Sequence, residues 1–212
     1  VCESDTGIKY STDSTAGSSY DWIVTNGAQA SGDTTHEITV DWGSAGNGKV
    51  EVVETDSNGN IKDTATLNVT IHPKPNSPLV QGKTDVCKNE KNVLYEVQST
   101  TGSSYEWFIT GGSQNSGGNS NSITVDWGNT TSGEVAVQET DSNGCVSDTS
   151  SLSITINSIP SKPNISGNDT LCSGAKGKVY TLTSNSNLSY EWFVNNGTIK
   201  GSSNGDTITV DW

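Results

Sequence analysis

The chain is poor in apolar, aromatic and basic residues. Of its 212 residues, 30% are hydrophobic and 7% aromatic, none is methionine, and 11 are Lys or Arg against 24 Asp or Glu. So little apolar material allows only a thin core, whereas the abundant Ser, Thr, Asn, Asp and Gly suit exposed strand faces and tight turns. No run approaches the roughly 20 apolar residues of a membrane span, so no membrane insertion is expected.

The charge is strongly one-sided, with a formal net charge of −13 at pH 7. Such a chain repels phosphate backbones and anionic lipid headgroups, so nucleic acid is excluded as a partner. Two explanations of the excess acid remain open. It keeps an extracellular protein soluble, or some of the carboxylates collect divalent cations.

Motifs that carry enzyme chemistry are missing. The sequence has two histidines and contains no Cys-x-x-Cys pair, Gly-rich phosphate loop, zinc-protease helix signature or nucleophile elbow. We therefore predict that the chain is not an enzyme, and we name no catalytic, cofactor-binding or metal-binding residue.

What the sequence does contain is a gapless internal repeat. Tryptophans 22, 107 and 192 are spaced by 85 residues, a period too long for a helical solenoid or a propeller blade but suited to one small β-sandwich. The same spacing relates Trp42, Trp127 and Trp212; Tyr10, Tyr95 and Tyr180; Tyr20, Tyr105 and Tyr190; and Cys2, Cys87 and Cys172.

The period divides the chain into three repeats. Repeat one covers residues 1–72 and lacks its first strand, repeat two covers 73–157 and is complete, and repeat three covers 158–212 and is truncated. We therefore expect the chain to be a window on a longer array. Proline-rich junctions separate the repeats, and their stiffness predicts an extended line of successive units.

Within repeat two, apolar and polar residues alternate as they do in half-buried strands. The alternation predicts strands at Ser104–Thr110, Ser122–Trp127, Glu134–Gln138 and Leu152–Ile156. The turn Asp141–Gly144 ends in Asn-Gly, which predicts a hairpin with a type I′ turn. No segment has helical periodicity, so the fold class is all-β, with tandem immunoglobulin-like antiparallel β-sandwiches.

The repeated aromatic residues are predicted to anchor these thin cores, because each one buries a large apolar area. An alternative is that the recurring Tyr-x-Trp forms an exposed platform on which sugars stack. The predicted core aromatics are Tyr20, Trp22, Trp42, Tyr105, Trp107, Trp127, Tyr190, Trp192 and Trp212.

Two of the four cysteines fall in the complete repeat, and we predict a disulfide between Cys87 and Cys145. One period before Cys145 stands Asn60, so Cys2 has no equivalent partner, and the partner of Cys172 would lie beyond Trp212. Such a bond stabilises a thin-cored domain and implies an oxidising compartment.

The turns have a partial calcium-loop pattern. It comprises Asp56, Asn58 and Asp63 in repeat one, and Asp141, Asn143 and Asp148 in repeat two. The distal Glu of a full calcium loop is absent, so we favour plain hairpins and keep calcium as the alternative.

Three motifs in order resemble a known family. They are the runs Ser104–Gly112 and Ser122–Gly128, followed by Glu139–Cys145. They resemble the PKD-like, immunoglobulin-like tandem repeats of large bacterial cell-surface proteins, and the likeness covers nearly the whole chain. It implies a β-sandwich, export to the cell surface, often by the type IX route of gliding bacteria, and a place in the stalks or filaments of adhesins.

From this resemblance we expect structural spacer repeats in an extracellular filament. The partners would be neighbouring repeats, other copies of the filament, and a surface or glycan ligand at an unseen tip. Two alternatives are weak multivalent glycan binding and an accessory region of a secreted polysaccharide-degrading enzyme. The resemblance also implies O-glycosylation after Asp, and the matching positions are Ser14, Thr34, Thr64, Thr170 and Thr207.

Overall fold

The computed structural model describes residues 1–212 and is all-β, as predicted. The chain forms two compact units, Val1–Ser158 and Ile159–Trp212. The first unit contains repeats one and two, and the second contains repeat three. No helix of the structure has the length and apolarity required to cross a membrane.

Repeat one is a sandwich of two three-stranded antiparallel sheets. The sheet orders are β1-β4-β3 and β2-β5-β6, with strands β1 (Ile8–Ser11), β2 (Ser19–Thr25), β3 (Gly27–Ser31), β4 (Glu37–Trp42), β5 (Gly46–Thr55) and β6 (Ala65–Ile71). A parallel bridge between Cys2 and His72 adds the start of the chain to the edge of the second sheet.

Repeat two has two four-stranded sheets, because two short strands precede the common set. The orders are β11-β12-β9-β7 and β10-β13-β14-β8, with strands β7 (Gln81–Gly82), β8 (Asp85–Cys87), β9 (Val93–Glu96), β10 (Ser104–Thr110), β11 (Gly112–Ser116), β12 (Ser122–Trp127), β13 (Ser132–Thr140) and β14 (Ser150–Asn157). Strand β8 lies parallel to β14, and the other pairs are antiparallel.

The alternation in sequence becomes alternation in burial. In β12, Ile123, Val125 and Trp127 are at most 1% exposed, while the residues between them are only partly buried. The core of repeat two joins residues from both sheets, including Val135 and Val137 of β13. Repeat one has a smaller core of the same design, built around Ile38, Val40, Trp42, Val50 and Ile71.

The hairpin between β13 and β14 differs from the predicted type I′ turn. Gly144 has a positive φ of 84°, but Asn143 does not, whereas a type I′ turn needs positive φ at both central residues. Gly144 N–H donates to Asp141 O at 3.0 Å, and Asp141 N–H donates to Cys145 O at 2.9 Å. This is the pattern of a type I turn closed by a glycine in the left-handed region.

The second unit is a single four-stranded sheet in the order β15-β16-β18-β17. Its strands are β15 (Ile165–Ser166), β16 (Lys178–Leu182), β17 (Thr198–Lys200) and β18 (Thr207–Asp211). Trp192 covers Ile208 and Val210 on one face of the sheet. The second sheet that covers Trp127 in repeat two has no counterpart within residues 159–212.

Candidate functional site at the junction of repeats one and two

The disulfide joins two repeats and does not lie within one. Cys2 is bonded to Cys145 with a Cα–Cα distance of 5.5 Å and a sequence separation of 143 residues. Cys87 and Cys172 are free and exposed. The predicted pair Cys87–Cys145 is therefore wrong, and the sequence analysis missed Cys2 as a bonded residue.

The sheet order explains why Cys87 does not reach Cys145. Cys87 pairs with Asn157 at the end of β14, and that end lies beside Ser132 at the start of β13. Cys145 follows the far end of β13. At about 3.3 Å per residue, the nine residues of β13 separate the two cysteines by roughly 27 Å.

Cys2 occupies the same place in repeat one that Cys87 occupies in repeat two. Cys2 pairs with His72, and Cys87 pairs with Asn157, which is His72 shifted by one period. Each cysteine N–H donates to a carboxylate three residues later, at 2.7 Å in both repeats. The position thus lies at the end of the sandwich from which the chain leaves for the next repeat.

The Cys145 side of the junction is a hairpin organised by one carboxylate. Asp141 Oδ1 accepts the N–H groups of Cys145 at 2.8 Å and Asn143 at 2.9 Å. The Cys145 N–H, the Asn143 N–H and side chain, and the charge of His72 from repeat one all lower the pKa of Asp141, against a partial opposing effect of desolvation.

The same arrangement bears on the calcium alternative. In repeat one, Asp56 Oδ1 accepts the N–H groups of Asn58 and Asn60 at 2.8 Å each. The carboxylates of both turns are thus directed at their own backbone. No group of three or more His, Cys, Asp or Glu side chains suited to a metal ion occurs in the structure.

A further contact fixes the linker where it leaves repeat one. Lys74 N–H donates to Glu3 Oε1 at 3.0 Å, and Ala45 N–H donates to Glu3 Oε2 at 3.4 Å. Glu3 is next to the bonded Cys2, and its own N–H donates to His72 O at 2.8 Å. The start of repeat one, its last strand and the linker are therefore tied together beside the disulfide.

The Tyr-x-Trp pairs are directed inward. Tyr20 and Tyr105 are 4% and 3% exposed, Trp107 and Trp192 are buried, and Trp22 and Tyr190 are half-buried. The indole N–H of each of these tryptophans donates to a backbone oxygen, those of Thr35, Ser120 and Gly205, at 2.8–2.9 Å. The buried rings of Tyr20, Tyr105, Trp107 and Trp192 are not available as sugar-stacking platforms.

The second set of aromatics pairs edge to face. Tyr10 contacts Trp42, Tyr95 contacts Trp127, and Tyr180 contacts Trp212, with ring centroids 5.9–6.0 Å apart. Trp42 and Trp127 are buried, whereas Trp212 is 38% exposed and differs from its predicted core position. Its other face lacks the second sheet that encloses Trp127.

All five predicted glycosylation positions are exposed. They are Ser14, Thr34, Thr64, Thr170 and Thr207. Exposure makes the hydroxyl groups accessible to a transferase, and their modification stays a prediction.

Comparison with known proteins gives one family. The family described as PKD-like domain matches residues 1–69, 73–156 and 159–212. Such domains are typically non-catalytic modules, and no catalytic family is indicated. Among curated proteins, none matches the chain.

Several solved structures are similar at low identity. The fibronectin(III)-like modules of CbhA from Clostridium thermocellum are 17% identical, with 74% of this chain and 88% of that chain covered and a TM-score of 0.42. Domains 7, 8 and 9 of the S-layer protein SbsC are 15% identical, with 76% and 60% covered and a TM-score of 0.33. The Escherichia coli adhesin FdeC is 17% identical, with 100% and 78% covered and a TM-score of 0.30.

Proposed function

The chain belongs to the PKD-like domain family, and from that we propose that its repeats are spacer modules of an extracellular, cell-surface protein. They hold a distal binding region away from the cell and carry no catalytic step. The observation behind this proposal is the Cys2–Cys145 disulfide, which couples two successive sandwiches covalently. A disulfide also fits an oxidising, extracellular compartment.

The repeated framework supports a structural role over a binding role. The side chains common to all repeats serve their own sandwich, because the indole N–H groups of Trp22, Trp107 and Trp192 all bond to backbone oxygens. A glycan-binding module would instead present such rings to solvent. The acidic surface keeps copies of the filament apart and soluble.

Changing the number of repeats in the full-length protein tests the proposal. Removal of residues 73–157 deletes one period and is combined with Cys2→Ser, because Cys145 is lost with it; duplication of the same residues adds one. A spacer predicts that the distance of a labelled distal end from the cell changes by roughly 30 Å per repeat, the length of the longest strand of repeat two, while adhesion per molecule is retained.

The rival functions give different results in the same experiment. If the repeats bind glycan, adhesion falls with each deleted repeat, and the isolated chain of 212 residues binds on a glycan array. If they serve a polysaccharide-degrading enzyme, the deletion lowers turnover of insoluble substrate. Either result, with an unchanged distance, would refute the spacer function.

We also propose that the protein is exported by the type IX route of gliding bacteria, and that its exposed hydroxyls after Asp are glycosylated in the native protein. Peptide mass spectrometry of native material is expected to show hexose-bearing peptides at Ser14 and Thr64, among others. Only unmodified peptides at all five positions would exclude this modification.

A further inference from the structure

The disulfide changes the covalent path through the first unit. The chain enters at Val1, crosses from Cys2 to Cys145 through one S–S bond, and continues from Val146 towards Trp212. Everything between the two cysteines is a closed side loop, and it contains strands β1 to β13. Of the strands in the first unit, only β14 lies on the direct path.

We propose that this disulfide is a covalent bypass that carries tension past repeat one and past all but the last strand of repeat two. Force applied to the two ends of the chain passes through the S–S bond and does not pull on the strands inside the loop. Repeat one and most of repeat two therefore cannot be drawn out by tension, even if their packing is lost. The bypass follows from connectivity, and its use in a stalk rests on the proposed function above.

The disulfide prevents a long stretch of chain from extending under tension. At about 3.3–3.6 Å per extended residue, a separation of 143 residues corresponds to about 500 Å of chain. A spacer that lost this restraint would lengthen many times over under load, and its distal end would no longer be held at a defined distance.

The part of the first unit that stays on the direct path has little slack. Strand β14 has eight residues and already spans about 26 Å in its sheet. The segment from Val146 to Asn157 is at most about 42 Å long when extended. Even complete detachment of β14 from β13 and β8 would lengthen the unit by at most about 16 Å.

The sulfur atoms of the bypass are shielded, whereas the other two thiols are not. Cys145 is 0% exposed and Cys2 is 8% exposed. Cys87 and Cys172 are exposed. Because thiol–disulfide exchange needs direct access to a sulfur, burial protects the bond from external thiols as long as the junction stays folded.

Single-molecule stretching of the chain tests the bypass. Peptide handles at Val1 and Trp212 leave the cysteines untouched, and the oxidised protein is compared with the double variant Cys2→Ser/Cys145→Ser. We expect the variant to extend by about 500 Å more than the oxidised protein, because the loop is released. The matched control Cys87→Ser/Cys172→Ser removes two cysteines outside the bond and is expected to extend like the unmodified chain.

Equal total extension of the oxidised protein and the double serine variant would overturn the proposal. If the variant does not fold, the unmodified protein is stretched twice, before and after addition of dithiothreitol to the unfolded molecule. A gain of about 500 Å after the reductant supports the bypass, and no gain refutes it. Failure here leaves the spacer function intact, since that is tested by changing repeat number in the full-length protein.

Discussion

At the scale of single residues, the junction depends on two buried sulfur atoms and one partly buried carboxylate. The sulfurs of Cys2 and Cys145 join the repeats, and Asp141 holds the turn that presents Cys145. Asn143 does not adopt the left-handed conformation that a type I′ turn requires. The Asp141 carboxylate instead accepts the backbone N–H group of Asn143, and this hydrogen bond stabilises the turn. The pairing of the cysteines and the titration of Asp141 can each be measured.

Alkylation of the folded, unreduced chain is expected to modify two cysteines, Cys87 and Cys172, because only these are free and exposed. All four should react after reduction and unfolding. Peptide mapping without reduction is expected to recover the peptide containing Cys2 linked to the peptide containing Cys145. A recovered link between Cys87 and Cys145 would contradict the structure and restore the pairing expected from the sequence.

The turn is expected to be sensitive to acid. Hydrogen bonds from Cys145 and Asn143 lower the pKa of Asp141 in the folded chain below its unfolded value of about 3.9. A lowered folded pKa contributes stability above the unfolded pKa, and that stability is lost as the pH falls through the folded pKa. Asp141→Ala should therefore lower the melting temperature more at pH 7 than at pH 2.

The matched control for this prediction is Asp141→Asn. It keeps an oxygen acceptor for the two N–H groups but cannot titrate, so it should destabilise the chain less than Asp141→Ala, while its difference from the unmodified chain changes with pH in the same way. A melting difference between Asp141→Ala and the unmodified chain that stayed constant from pH 2 to pH 7 would contradict the assignment.

At the scale of strands, the pattern of alternation was enough to place most elements. Strands Ser104–Thr110 and Ser122–Trp127 have the predicted bounds, and the predicted segments in β13 and β14 lie inside longer strands. Period-two alternation identifies such strands because each buries one face. Which strands are neighbours does not follow from that pattern. The parallel pairing of β8 with β14 places Cys87 at the wrong end of the sheet for the predicted disulfide.

A glycine in one sheet leaves room for a large tryptophan side chain that comes from the facing sheet. A Cβ on Gly133 would clash with Cζ3 of the buried Trp127, and a Cβ on Gly48 would clash with Cζ3 of Trp42 in the same way. Both glycines occupy the start of a long strand, one period apart. The sequence offered no signal for this contact beyond the recurrence of the glycine.

Gly133→Ala is expected to destabilise the first unit by about 1–3 kcal/mol, because the added methyl group overpacks the site against Trp127. Urea unfolding, followed by the fluorescence of the core tryptophans, measures the change. Ser132→Ala, at the exposed neighbouring position of the same strand, is the control and should change the free energy of unfolding by less than about 0.5 kcal/mol. Equal stability of Gly133→Ala and the control would refute the packing argument.

At the scale of the whole molecule, two sandwiches of unequal core share one covalent junction. Repeat two buries residues of both four-stranded sheets, whereas the core of repeat one is formed by few residues. The thin core expected from 30% hydrophobic residues is thus most evident in repeat one. The disulfide ties this weaker sandwich to the stronger one.

Without the Cys2–Cys145 disulfide, repeats one and two are expected to unfold independently of each other. In the chain-entropy description, closing a loop with a separation of 143 residues stabilises the unit by about 5 kcal/mol. In Cys2→Ser/Cys145→Ser, hydrogen exchange of the β4 and β5 amides in repeat one should therefore speed up much more than that of β12 and β13. Uniform exchange in both repeats would show that the core difference does not determine their stability, and Cys87→Ser/Cys172→Ser should exchange like the unmodified chain.

The closed loop also alters what a protease does to the protein. A single peptide-bond cleavage anywhere between Glu3 and Gly144, including the exposed proline-rich linker, leaves the first and last residues in one covalent molecule. The chain thus survives one cut in this region without separating into two pieces. The first and last residues separate only if a peptide bond outside the loop is cut. The segment from Val146 towards repeat three lies outside the loop.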